Sequence, residues 1–175
     1  FAAGVLRRGG VIGYPTDTAY AIGGCFNRAT VRRRVRAIKG RRDEKFTLVA
    51  ASLAQVKKYF RLAPAAAALA LRHWPGPVSI VVSPKFAVRV PASHAARALA
   101  RRAGAPLIAT SANRSGGVTP YTVAAAWREL ADRPQPDLIL DAGRLPKRKP
   151  STIVAVDGRG KITVVRAGAV RLTKT

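Results

Sequence analysis

The sequence predicts an α/β protein, a twisted, mixed, open sheet flanked by helices. Three observations carry this. Short apolar runs rich in Val and Ile alternate with segments whose apolar residues recur at helical spacing. Proline, serine and asparagine stand where those helices should begin. Nothing repeats and no linker divides the chain, so residues 1–175 are expected to form a single domain.

In chain order, residues 11–14 read as the first strand and lead into a polar turn and a second apolar segment. Asn27 is placed to cap a helix over 28–38, with Val31, Val35 and Ile38 on its apolar face. Arg32, Arg33, Arg34 and Arg36 take the remaining positions. Residues 47–50 are a strand. Pro64 suits the first turn of a helix that runs through alanines to Arg72. Trp74-Pro-Gly-Pro77 reads as a rigid turn into a buried strand over 78–82. Ser83-Pro-Lys85 then runs abruptly into Phe86-Ala-Val-Arg89, which marks a short loop or a closed-up gap. Ser93 is placed to cap a helix to about Arg102, and 107–109 is the next strand. Val123, Trp127 and Leu130 mark a helix around 121–131. Strands at 138–140, 152–156 and 162–165 complete the sheet, the last two joined by an Asp157-Gly-Arg-Gly160 turn.

Composition narrows the function. The chain is long enough to bury a core, and 48% hydrophobic residues exclude disorder. Lys and Arg number 32 against 8 Asp and Glu, a net charge of +24. A surface so positive attracts polyanions, nucleic acid first and anionic membrane second. The single cysteine, Cys25, excludes an internal disulfide and reads as a small buried hydrophobe. With two histidines and few acids, no metal site is expected. No apolar run reaches the length of a membrane span, and no signal peptide is visible, so a cytoplasmic location is expected. Phe1 is not a usual start, and the N-terminus is read as incomplete.

The chemistry-bearing residues fall in a few short motifs. Thr16, Asp17 and Thr18 cluster in the turn after Pro15. Lys39 and Arg41 stand at a helix end, where basic side chains ordinarily serve as dipole partners. Ser111 and Asn113 follow a strand end, a common ligand position in α/β proteins that also suits a polar cap. Together, these cations and hydroxyl and amide groups are what a nucleotide-phosphate site needs. Arg89 lies inside an otherwise apolar strand and requires an anionic partner, either a ligand or one of the eight acids. His73 and His94 lie near helix ends and are assigned no catalytic role.

These motifs, in this order, resemble the YrdC/YciO family, whose best-known members are threonylcarbamoyl-adenylate synthases. The matching segments are Tyr14-Pro-Thr-Asp-Thr18, Lys39-Gly-Arg41, Trp74-Pro-Gly-Pro77, Ala87-Val-Arg-Val-Pro91, Thr110-Ser-Ala-Asn113, Pro150-Ser-Thr-Ile153 and Arg166-Ala-Gly168. The resemblance implies a YrdC-like fold with a concave basic face. It implies synthesis of threonylcarbamoyl-AMP and pyrophosphate from L-threonine, bicarbonate and ATP with Mg2+, with no tightly bound cofactor. The product would feed threonylcarbamoyladenosine formation on tRNA through a downstream transferase complex. By the same resemblance, Lys39 and Arg41 act on the ATP phosphates as the catalytic pair. Lys45, Thr110, Ser111, Asn113, Thr119 and Arg166 complete the ATP site. Thr18, Arg89 and Ser151 hold threonine.

The chain also departs from the family pattern. Lys45-Phe-Thr-Leu48 replaces the common Lys-Pro-Leu, no histidine stands near Ala50, and Asp17 resembles the YciO branch. Family members usually carry a longer loop before Phe86. A non-catalytic YciO-like protein that binds double-stranded RNA or the ribosome is therefore the alternative, while the intact Lys-x-Arg and Ser-x-Asn pairs favour the enzyme. A fragment of a hydrogenase-maturation carbamoyltransferase is a third reading, opposed by the absence of cysteine-rich segments.

Overall fold

The computed structural model describes residues 1–172, which fold into two open sheets flanked by helices. The chain runs α1 (Ala2–Arg7), β1 (Ile12–Pro15), β2 (Tyr20–Gly23), α2 (Ala29–Lys39), β3 (Phe46–Val49), α3 (Leu53–Tyr59), α4 (Pro64–His73) and β4 (Val78–Ser83). It continues with β5 (Phe86–Arg89), α5 (His94–Ala103), β6 (Leu107–Ile108), β7 (Thr110–Ser111), α6 (Val123–Leu130), β8 (Leu138–Ile139), β9 (Thr152–Val156) and β10 (Ile162–Arg166). The smaller sheet has the order β7-β2-β1-β8 and the larger β10-β9-β4-β5-β3-β6. Both mix parallel and antiparallel pairs: β1 lies antiparallel to β2 and parallel to β8, and β4 antiparallel to β5 and parallel to β9. The strands expected to share one sheet are thus divided between two ladders. The segment from β6 to β7 crosses from the larger to the smaller within five residues.

Local chemistry explains most boundaries. Ser93 caps α5 by accepting from the Ala96 amide, and Pro64 opens α4. Thr122 and Ser52 cap α6 and α3 in the same way. Asn27 does not cap α2 as expected. Arg28 occupies the N-cap without a side-chain bond, so α2 is held by its buried Val31, Val35 and Ile38 rather than by a cap. Gly40 ends α2 in the left-handed region, which only glycine enters freely. The abrupt junction before Phe86 is a tight turn: Ser83 Oγ accepts from the Lys85 and Phe86 amides, and β4 and β5 pair directly across it. Asp157 holds the last hairpin by accepting from the Arg159 and Lys161 amides.

The core binds these layers. Phe26 packs edge-on against Tyr59 and Phe86, with Ile22, Val35, Leu48 and Ile108 wholly buried around it. Each such side chain stabilises the fold by ~1.5–3 kcal/mol. The two sheets meet at Gly23, where a Cβ would overlap the Ile108 carbonyl. No described helix is long and apolar enough to cross a membrane.

Candidate active site

The two sheets enclose a cavity of about 670 Å³. Six cations line it (Arg41, Lys45, Lys85, Arg89, Arg148 and Arg166), and no carboxylate does among the described residues. Thr18, Thr110, Ser111, Asn113, Thr119 and Ser151 supply hydroxyl and amide groups. Every residue expected in the site therefore lines the cavity, with one exception, Lys39.

Lys39 ends α2, and its side chain is buried. Its ammonium donates to three oxygens: the Ser111 carbonyl at 2.7 Å, the Asn113 carbonyl at 2.6 Å and Asn113 Oδ1 at 2.9 Å. An ammonium has three protons, so the group is fully engaged. Ser111 Oγ also donates to Asn113 Oδ1, at 2.6 Å, and Asn113 Nδ2 donates to the Gly117 carbonyl at 2.6 Å. Lys39, Ser111 and Asn113 thus form one closed network, in which lysine shapes the Ser-Ala-Asn turn from behind. Burial, and then the neighbouring Arg41 charge, lower its pKa to about 8.

Arg41 is the member of the Lys-x-Arg pair that faces the cavity. Its guanidinium lies 4.7 Å from the Phe46 ring centroid and donates to the Lys45 carbonyl at 2.7 Å. Stacked on one side and anchored at one nitrogen, the plane keeps further N–H groups for a ligand. The loop carrying Arg41 is tied across the cavity edge by Glu44, which bridges Arg36 at 2.9 Å and Lys85 at 2.6 Å.

Arg89, on β5, is almost entirely buried, as expected. Its anionic partner is Asp17, 2.7 Å away, and the two side chains are 4% and 7% exposed. Thr18 Oγ1 stands 3.4 Å from the second guanidinium nitrogen. The Ala92 amide also donates to Asp17. Burial pushes the Asp17 pKa up, but the Arg89 charge and these hydrogen bonds outweigh it, and the group ends below its ordinary value. Asp17 is thus held ionised against Arg89 in the interior.

Ser151 completes this end of the cavity. Its Oγ accepts from Ser79 Oγ at 3.0 Å and from Arg166 at 3.2 Å, and Arg166 also donates to the Ser151 carbonyl. With two donors on its oxygen, the hydroxyl proton of Ser151 is left to donate elsewhere. Sequence reasoning did not assign Lys85, Tyr121 or Arg148 to the site. Arg148 belonged to a visible basic run, Lys147-Arg-Lys149, whereas nothing local marks Lys85 or Tyr121.

The fold and the cavity together define an α/β protein with a cation-lined cavity between two sheets, a lining that suits a small polyanion. Comparison narrows the class. The family model described as Telomere recombination (Sua5/YciO/YrdC) matches residues 4–168, and the chain belongs to that family. It is 36% identical to the threonylcarbamoyl-AMP synthase of Thiobacillus denitrificans, over 90% of this chain and 89% of that protein. It superposes on P. abyssi Sua5 complexed with L-threonine with a TM-score of 0.82 and 27% identity, covering 95% of this chain and 53% of the other. The chain therefore spans about half the length of that protein. E. coli YciO superposes with a TM-score of 0.80 and 28% identity, over 95% of this chain and 87% of that one.

Proposed function

We propose that this chain is a threonylcarbamoyl-AMP synthase, a nucleotidyltransferase acting on L-threonine, bicarbonate and ATP. The observation that carries the reading is the cavity itself, where, among the described residues, six cations and no carboxylate line a space in which the family's motif residues converge. Such a lining suits a triphosphate and repels nothing a nucleotide carries. Two relatives support it, one named threonylcarbamoyl-AMP synthase and the other, P. abyssi Sua5, complexed with L-threonine.

The residues take the following roles. Threonine binds at the Arg89 end, its carboxylate on the outer edge of the guanidinium and its hydroxyl near Thr18 and Ser151. ATP lies towards Thr110, Ser111, Asn113, Thr119 and Arg166, with Arg41 and Lys45 on the phosphates. Lys39 acts through the Ser-Ala-Asn turn. The threonine amine adds to carbon dioxide derived from bicarbonate and gives a carbamate. A carbamate oxygen attacks the α-phosphorus, the bond to the β-phosphate oxygen breaks, and pyrophosphate leaves. Arg41 and Lys45 stabilise the negative charge that shifts onto the departing phosphates. In this reading magnesium enters bound to the ATP phosphates, the cavity lining among the described residues being cations, hydroxyls and amides rather than carboxylates. In this reading the chain works in the cytoplasm as a single domain, upstream of transfer to tRNA.

Pyrophosphate release from ATP is expected only when threonine and bicarbonate are both present. Serine is expected to be slower by a factor of about ten, the value of one methyl in an apolar pocket. Release that is absent or indifferent to threonine would reject the synthase and leave the YciO-like RNA-binding reading, which Asp17 and Phe46-Thr-Leu48 favour.

A further inference from the structure

The link between β8 and β9, residues 140–151, passes from the smaller sheet to the larger and brings Arg148, Pro150 and Ser151 to the cavity. It is pinned at both ends and loosely held between them. Near its start the pin is Tyr20 of β2, a side chain wholly buried in the fold. The phenol oxygen accepts from the Ala142 amide at 2.8 Å, and its single proton faces the Gly143 carbonyl at 2.8 Å and Asp141 Oδ1 at 3.1 Å. Gly143 turns the chain there at φ +72°, a region glycine enters freely. The Leu145 amide then donates to the Tyr121 carbonyl at 2.8 Å, and its side chain packs on the core. At the far end the Pro150 carbonyl accepts from the Ala169 amide at 2.9 Å. Between these anchors Lys147, Arg148 and Lys149 are exposed, and Tyr121 Oη reaches the Arg148 carbonyl at a long 3.5 Å. Arg148 lines the cavity, whereas its two lysine neighbours do not. Four of the six cavity cations are already engaged: Arg89 with Asp17, Lys85 with Glu44, Arg166 with Ser151 and Arg41 with the Lys45 carbonyl. The Lys45 ammonium and the Arg148 guanidinium have no such partner among the described residues.

Resting on the synthase reading of the cavity, we propose that Arg148 binds the α-phosphate of ATP and that Tyr20 is the positioning residue for the strap that carries it. Arg148 is tied through its carbonyl to Tyr121, two residues from Thr119 at the nucleotide end. It also stands three residues before Ser151, at the threonine end. The α-phosphorus is the atom that lies between nucleoside and threonyl carbamate, so a side chain held between those two ends meets it. A guanidinium plane matches two of its oxygens in a bidentate pair. As the carbamate oxygen bonds to the α-phosphorus, the bond to the β-phosphate oxygen breaks and pyrophosphate leaves. Arg148 transfers no proton in this step. It neutralises charge on the α-phosphoryl oxygens, while Arg41 and Lys45 serve the departing phosphates. Tyr20 acts at a distance. A buried phenol with partners on residues 141, 142 and 143 fixes where the strap leaves β8, and therefore how far Arg148 reaches.

The test combines the kinetics of pyrophosphate release with calorimetric titration of AMP and of pyrophosphate, on the wild type, Arg148→Gln, Tyr20→Phe, the double variant and the neighbouring control Lys147→Gln. Arg148 is exposed, so Arg148→Gln should melt like the wild type. Its kcat is expected to fall about tenfold or more with the KM for threonine unchanged. AMP, which keeps the α-phosphate, should bind about tenfold more weakly, and pyrophosphate as before. Lys147→Gln should behave as wild type. Tyr20→Phe removes one oxygen and should lower kcat in the same direction by less. Added to Arg148→Gln it should cost nothing further, because both changes remove one contact. Wild-type kcat and AMP affinity in Arg148→Gln would overturn the assignment, as would a loss confined to pyrophosphate. Losses that multiply in the double variant would overturn the role of Tyr20. A wild type that binds AMP but releases no pyrophosphate rejects the synthase reading instead, and the AMP titrations then decide for Arg148 alone.

Discussion

Arg89 shows how one residue serves both the fold and the site. Its partner Asp17 is as deeply buried as itself, so Arg89→Ala strands a carboxylate in the interior. A loss of about 3–5 kcal/mol is expected from urea denaturation. Replacing both partners, Asp17→Asn with Arg89→Gln, should recover most of that stability while threonine binding stays lost. If Arg89→Ala alone melts like the wild type, the pair is not structural. Lys39 carries a related consequence. Its pKa of about 8 in the fold lies below its ordinary 10.5. Between those values the unfolded chain holds a proton that the folded chain has released, so this group's contribution to stability rises with pH. Over the same window the site loses the ammonium that gathers Ser111 and Asn113. ATP affinity is therefore expected to fall above about pH 8, while wild-type stability rises relative to Lys39→Met. Calorimetric titration and urea midpoints of both proteins from about pH 7 to 10 check this, and an identical pH response in the two proteins counts against the assignment.

At the scale of elements, the decisive contact is the close approach of β2 to β6. Gly23 has no side chain because the Ile108 carbonyl occupies that space. Gly23→Ala is expected to push the sheets apart and cost several kcal/mol, since the clash is with backbone and cannot be relieved by a rotamer change. Circular dichroism melts would show it, and a variant within about 0.5 kcal/mol of wild type would mean the sheets adjust freely. Most elements were legible where a cap or a clear apolar period announced them, as with Ser93 and α5 or Pro64 and α4. α3 was not read because it buries only Val56 fully, so its apolar period is faint. α1 is six residues long, shorter than any periodic pattern can establish. Asn27 misled because capping preference is local, whereas the start of α2 is decided by the burial of Val31.

Across the whole molecule, the site was legible because its motifs are compact in sequence. Arg89 was marked by its apolar strand, Thr18, Arg41, Ser111 and Arg166 by short motifs that match the family pattern, and all five line one cavity. Contacts between distant segments were not legible. That Arg89 pairs with Asp17, and that Lys39 turns to Asn113, depends on residues 72 and 74 positions apart. Lys85 enters only because the turn after β4 is tight enough to return it to the cavity edge. The division into two sheets was equally hidden, because strand patterns report burial and not which ladder a strand joins.

The crossing of β6 and β7 from one sheet to the other bears on the order of assembly during folding. The Ser-Ala-Asn turn sits at the end of that crossing, and its lysine comes from α2. A chain that has closed only one sheet holds no complete site. Contacts of such long sequence separation form late, after the entropy of loop closure has been overcome. Nucleotide should therefore bind the finished fold alone and leave every intermediate untouched. During refolding, the onset of ATP binding would date the moment the two sheets dock.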